Sequence, residues 1–87
     1  MGEYILAIFS VRTSTLQYNM LLQKNGVRSV IVETPKSASA SCGISVRFDT
    51  KHFEYAKELL KKSGIKNFVA FFYVSTRFGK TMLTRMS

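Results

Sequence analysis

The sequence predicts a single α+β domain of the ferredoxin-like, split βαβ type. Short apolar runs of strand length alternate with two segments of helical periodicity, in the order β-α-β-β-α-β. The chain has 87 residues, which is enough for one hydrophobic core and leaves little room for a second. Right-handed strand-helix-strand units joined in this way give four antiparallel strands in the spatial order 4-1-3-2, with both helices on one face.

The first half of the chain supplies the first strand-helix-strand unit. Residues 4–9 form a continuous apolar run, which is typical of a strand buried on both faces. Thr13 or Ser14 is a suitable N-cap for the following helix, and Gly26 is expected to end it. A second strand spans residues 27–34 and stops before a proline, because proline cannot donate to a strand ladder.

The second half repeats the pattern. Residues 43–48 alternate strictly between apolar and small or polar side chains, so we expect a strand with one face buried and the other wet or lightly covered. Asp49 or Thr50 caps the second helix, which closes near Gly64. Residues 68–74 form the last predicted strand.

The last predicted strand sets the boundary of the domain. We assign residues 1–74 to the folded domain and residues 75–87 to a basic C-terminal tail. Aromatic side chains of the last predicted strand point to both faces of the sheet, and the helices cover only one face. We therefore expect the other face to be apolar and uncovered by helices. Such a face indicates a homodimer or a docked partner, or else a tail that folds back over it, and both alternatives stay open.

Composition limits the class of function. Thirteen Lys and Arg residues stand against 5 Asp and Glu, and the net charge of +8 favours anionic partners or serves solubility alone. No apolar run approaches the ~20 residues of a membrane-spanning helix, and no signal sequence is recognisable, so we expect a cytoplasmic protein without a membrane partner. One cysteine and one histidine exclude an internal disulfide and a closed zinc site, and we expect no metal and no cofactor.

Residues 37–43 are a run of small side chains that contains the only cysteine, Cys42. In the predicted topology the first strand ends beside the start of the third, which places Cys42 next to the beginning of the first helix. Positive potential there favours a thiolate, and the small neighbours are expected to leave the sulfur accessible. The alternative is a cysteine that packs as a small apolar residue. The side chains and amides expected to stabilise a thiolate or an anion belong to Arg12, Thr13, Ser14, Lys36, Ser41 and Gly43.

Several of these segments also carry a family resemblance. Residues 3–74 resemble a family of small bacterial proteins described as selenium/sulfur carrier-like, a domain of unknown function. The segments that carry the resemblance are residues 4–10, 24–27, 34–36, 41–44 and 46–48. The resemblance implies that Cys42 is the carrier residue and that Lys36 is the basic residue after the proline. Ser41 departs from the family pattern, which usually has an acidic residue there.

The resemblance also implies a function. Cys42 would accept sulfur or selenium from a cysteine desulfurase-like donor, hold it as a persulfide or perselenide and pass it to an acceptor protein. Such a protein is a relay rather than a turnover enzyme.

Two other functions compete with the carrier. The same fold class includes RNA-recognition domains, but Gly43 and Ser45 stand where their stacking aromatics are expected, so nucleic-acid binding is limited to weak, non-specific attraction. The other alternative is an interaction or regulatory module without chemistry.

Overall fold

A computed structural model describes residues 2–38 and 42–86, and it confirms the α+β class. Two α-helices and five strands make up the described chain, with short 3₁₀ turns at Lys36–Ala38 and Thr50–His52. Ser41 lies outside the described residues. The elements are β1 (Glu3–Phe9), α1 (Arg12–Lys24), β2 (Ser29–Glu33), β3 (Ile44–Asp49), α2 (Phe53–Ser63), β4 (Phe68–Arg77) and β5 (Lys80–Met86).

The five strands form one antiparallel sheet in the order β2-β3-β1-β4-β5. The first four strands lie in the predicted order, but the prediction of only four strands is wrong. β4 continues beyond Val74 to Arg77, and β5 returns along it with Leu83 opposite Val74 and Met86 opposite Phe71. Much of the segment expected to be a tail is therefore the edge of the sheet, since seven of its residues pair with β4.

The hydrophobic core lies between the sheet and both helices. Phe71 on β4 is at its centre, where four aromatic rings lie within 4.8–6.5 Å of its own, measured between centroids. The Tyr18 hydroxyl of α1 donates a 2.8 Å hydrogen bond to the Ala56 carbonyl of α2, and burial raises the pKa of Tyr18. Buried members of this cluster are Ile5, Ala7, Phe9, Tyr18, Leu22, Val27, Val46, Phe48, Ala56 and Phe71.

The opposite face of the sheet is not the uncovered apolar surface expected from the sequence. Leu6, Ile8 and Val74 are at most 1% exposed, although none belongs to the core beneath the helices. Ser45, expected on a wet face, is also fully buried, and its hydroxyl shares a hydrogen bond with the Thr34 hydroxyl. β1 therefore has the two buried faces that its continuous apolar run predicted.

Helix α1 begins two or three residues earlier than the predicted N-caps imply. Its N-cap is Val11, which makes no side-chain capping hydrogen bond, so the prediction of Thr13 or Ser14 is wrong. Thr15 is buried inside the first turn, where its hydroxyl donates to the Val11 carbonyl over 3.3 Å. A buried threonine can thus bond within the helix instead of capping it.

Helix α2 has the predicted stop, but its N-cap is His52, which makes no side-chain capping hydrogen bond. Asp49 caps the 3₁₀ turn Thr50–His52 that precedes the helix. The Asp49 carboxylate accepts a 3.0 Å hydrogen bond from the backbone amide of Lys51. This hydrogen bond is the main reason that the pKa of Asp49 is lowered. Gly64 follows the last turn with φ +73°, the left-handed conformation that glycine adopts without steric cost.

The turn between β4 and β5 carries an exposed aromatic residue in an unfavourable conformation. Arg77 pairs with Lys80, so Phe78 and Gly79 form a two-residue turn with φ of 52° and 75°. Phe78 is 100% exposed and gains no packing in return. Asparagine tolerates positive φ, and Asn-Gly is the preferred sequence for such a turn.

We therefore expect Phe78→Asn to raise the free energy of unfolding by about 0.5–1 kcal/mol. Urea denaturation measures the change. Phe78→Val is the matched control and is expected to be less stable than the parent, because β-branched side chains disfavour positive φ. A Phe78→Asn chain no more stable than the Val variant would contradict a strained turn.

Candidate functional site

Cys42 lies two residues before β3, on the side of the sheet that the helices cover. Its Sγ is 3.8 Å from the Thr15 hydroxyl oxygen in the first turn of α1. A hydrogen bond from the Thr34 amide to the Gly43 carbonyl extends the pairing of β2 with β3 and fixes where the chain enters β3. The cysteine therefore lies beside the start of the first helix, as the predicted topology requires.

The sulfur is less accessible than the sequence suggested. Cys42 is 8% exposed, and its neighbour Thr15 is fully buried. The expectation that small flanking residues leave the sulfur open is therefore wrong in this conformation. The parity of β3 explains it, because Cys42 and Ile44 share the helix side of the sheet while Gly43 lies on the other side, exposed.

The start of α1 places partial positive charge near Cys42. The first amides of a helix have no acceptor within the helix, and its dipole places partial positive charge there. The first turn of α1 contains no acidic residue that would offset this potential. The Thr15 hydroxyl lies 3.8 Å from Cys42 Sγ, and because it donates its proton to the Val11 carbonyl, it is placed as an acceptor for the thiol.

Asn67 holds the start of α1 in place and was missed by sequence reasoning. Its carbonyl accepts a 2.8 Å hydrogen bond from the Ser10 amide, and its side-chain amide donates to the Ser14 hydroxyl over 3.4 Å. Its φ is 69°, a left-handed conformation in which asparagine is enriched. The only sequence signal was an asparagine just before strand β4.

Among the described residues predicted to stabilise a thiolate at Cys42, one is buried and the others are exposed. Ser14 is buried and bonded to Asn67. Within residues 2–38 and 42–86, no hydrogen bond or ion pair joins Cys42 Sγ to Arg12 or Lys36. The exposed members of the predicted set are Arg12 and Thr13 in the first turn of α1, Lys36 in the 3₁₀ turn Lys36–Ala38, and Gly43.

Other kinds of site find little support in the part of the chain that the structure describes. No group of three or more His, Cys, Asp and Glu side chains is placed to hold a metal ion among these residues. Neither helix within them has the length and apolar character needed to cross a membrane. Cys42, a free and buried cysteine beside the start of α1, is the residue on which the candidate site is centred.

Comparison with known proteins gave one match. The model of a family described as "Putative Se/S carrier protein-like" matches residues 3–68, which is more than half of the chain. Neither the curated proteins nor the solved structures include a significant match. The matched region contains Cys42 and Thr15, and it ends at the first residue of β4.

Proposed function

Because this chain belongs to the Se/S carrier protein-like family, we propose that it carries sulfur or selenium on Cys42. The observation that supports this function most directly is the contact between Cys42 Sγ and Thr15 at the start of α1. A thiol near a helix N-terminus is favoured as the thiolate, which is the nucleophilic form. Sulfur and selenium make the same demand on the site, because both are accepted by a thiolate.

The transfer needs no external oxidant or reductant. The Cys42 thiolate attacks the terminal sulfur of a donor persulfide, the donor S–S bond breaks, and the donor leaves as a thiolate. Cys42 then holds a persulfide. An acceptor nucleophile attacks the terminal sulfur in turn and releases the Cys42 thiolate. A cysteine desulfurase is a donor of the required kind, and selenium follows the same route as a perselenide.

The residues around Cys42 take supporting roles in this proposal. The first amides of α1 stabilise the thiolate and the terminal sulfur, and the Thr15 hydroxyl joins them once its proton turns from the Val11 carbonyl to the sulfur. Arg12 and Lys36 contribute positive charge that attracts an anionic donor group. The anion-binding roles of Thr13, Ser14, Ser41 and the Gly43 amide belong to the same proposal.

Burial adds a step to the mechanism. Since Cys42 is only 8% exposed, a protein donor cannot reach Sγ in line without a change in its surroundings.

Intact-mass measurement tests the carrier function. We expect the chain to gain one sulfur atom on incubation with a cysteine desulfurase and cysteine, and to lose it on addition of a thiol reductant. Cys42→Ser removes the only cysteine and is expected to abolish the gain. Circular dichroism of the variant verifies that it folds. A parent chain that gains no sulfur, or a gain that persists in Cys42→Ser, would overturn the proposal.

The burial of Cys42 also supports a second candidate, an interaction or regulatory module in which the cysteine is only packed. Free cysteines are among the most buried residues in proteins, and 8% exposure is typical of them. The same measurement separates the candidates, because a merely packed thiol stays unmodified while the protein is folded.

A further inference from the structure

A groove of about 690 Å³ opens at the end of the sheet opposite Cys42. β1 begins there and β3 ends there, with Tyr4 opposite Asp49 in the ladder. Strand β3 (Ile44–Asp49) separates Cys42 from this end of the sheet, and its length corresponds to roughly 16 Å. The groove is therefore separate from the proposed carrier site and does not depend on it.

Two arginines without carboxylate partners line the groove. Arg28 and Arg47 are exposed, and neither forms an ion pair within residues 2–38 and 42–86. An adjoining hollow shares Arg28 and adds the side chains of Lys51 and His52. Cationic side chains thus lie along one continuous surface, and arginine is the side chain best suited to bind phosphate with two parallel hydrogen bonds.

The two carboxylates of the groove already have partners. Asp49 Oδ1 accepts hydrogen bonds from the Lys51 amide and from the Thr50 hydroxyl. Glu3 raises the pKa of Tyr73, so the Glu3 carboxylate lies near a hydroxyl on β4. These neighbouring groups are neutral, so both carboxylates keep their charge, but within residues 2–38 and 42–86 neither forms an ion pair with an arginine of the groove.

The groove also has a flat surface on which a planar ring can stack. The guanidinium carbon of Arg47 lies 4.1 Å from the centroid of the Tyr4 ring. Val30 is opposite Arg47 in the ladder and is 53% exposed, so exposed apolar surface lies beside the stacked Arg47 and Tyr4 side chains. Guanidinium planes and tyrosine rings are both stacking partners for nucleobases.

We propose that this groove binds a nucleoside phosphate. The base stacks on the Arg47–Tyr4 pair, and the phosphate is held by Arg28 with Lys51 beside it. Inorganic phosphate would use only the cations, and an acidic peptide would leave the stacked pair unused. The same chemistry occurs in a free nucleotide and in one unit of a single-stranded RNA, and the test distinguishes these sources.

Isothermal titration of the full chain with ADP, at physiological ionic strength, is the primary test. We expect saturable binding that Arg28→Ala and Arg47→Ala each weaken about tenfold or more. Lys62→Ala removes the same charge from the last turn of α2, outside the groove, and is expected to change the affinity less than about twofold. Thermal unfolding of each variant shows that the fold is retained, and Arg28→Lys, which keeps the charge, is expected to lose most of the binding as well.

Three further arms identify the ligand. Tyr4→Leu is expected to weaken ADP binding severalfold while leaving inorganic phosphate binding unchanged. An eight-residue oligoadenylate that binds more tightly than ADP, with the same dependence on Arg28 and Arg47, would support the proposal and identify the source as RNA. Equal or weaker binding of the oligonucleotide would support a free nucleotide.

Three outcomes would overturn the proposal. The first is an absence of ADP binding at millimolar concentration. The second is an equal loss in Lys62→Ala and the arginine variants, which would mean attraction to overall charge. The third is inorganic phosphate binding as tightly as ADP, because the stacked Arg47–Tyr4 pair would then contribute nothing.

Discussion

Replacing Phe71 by alanine is expected to lower the free energy of unfolding by about 4 kcal/mol. Phe71 is 5% exposed and joins the two halves of the core. Its ring meets Tyr18 of α1 and Phe48 of β3, with centroids 6.5 and 6.3 Å away. Phe53 and Phe68 lie closer, at 5.2 and 4.8 Å. Truncation therefore removes a large buried surface and four aromatic contacts at once, and the rigid strand β4 cannot collapse into the space.

Urea denaturation followed by circular dichroism measures this loss. Because a small domain has only about 5–15 kcal/mol of total stability, the alanine variant stands near the limit of folding. Phe71→Leu keeps most of the volume and is expected to cost about 1–2 kcal/mol. Phe78→Ala, the same substitution at an exposed phenylalanine, is the matched control and is expected to change stability by less than about 0.5 kcal/mol. A Phe71→Ala loss as small as that of the control would contradict the central position of Phe71.

A chain that ends at Val74 is expected to be unstable and to self-associate. The shortened chain lacks β5, so β4 becomes an edge strand from Phe71 onward. It also lacks Met86, which packs against the core, and it exposes Val74, which is fully buried beside Leu83. Burial of each large apolar side chain contributes about 1.5–3 kcal/mol, so we expect a loss of more than about 3 kcal/mol.

Light scattering and urea denaturation of the full and shortened chains check this expectation. An exposed apolar strand edge is a template for pairing with another chain, so the shortened form is expected to form larger species. A shortened chain that stays monomeric and unfolds at the same urea concentration as the full chain would show that β5 adds little to the domain.

The sequence predicted the elements that rest on local patterns. The apolar run of β1, the strict alternation of β3 and the stop at Gly64 all have the expected structure. β5 was missed because its charged and polar residues dilute the strand pattern, and its pairing with β4 decides its conformation. The start of α1 was misplaced because Thr13 and Ser14 resemble capping residues in sequence, although both lie inside the first turn of the helix.

The sequence predicted the position of Cys42 in the candidate site but not the side chains that surround it. Strand order alone placed Cys42 beside the start of α1, because neighbouring antiparallel strands share an end. The face of β3 on which Cys42 lies follows from the alternation of residues 43–48, but its burial also depends on the side chain of Thr15, a contact that requires three-dimensional packing. The contact of Asn67 with Ser14 joins residues 53 positions apart and leaves no pattern in a single sequence.

Sulfur release to cyanide is the most direct test of the central claim that Cys42 holds sulfur in a transferable form. The chain is loaded by a cysteine desulfurase and cysteine, freed from both, and mixed with cyanide. Cyanide attacks the terminal sulfur of a persulfide, forming thiocyanate and returning the cysteine thiolate. We predict one thiocyanate per loaded chain, with none from Cys42→Ser. A loaded chain that releases no thiocyanate, or a Cys42→Ser chain that releases as much as the parent, would contradict the carrier function.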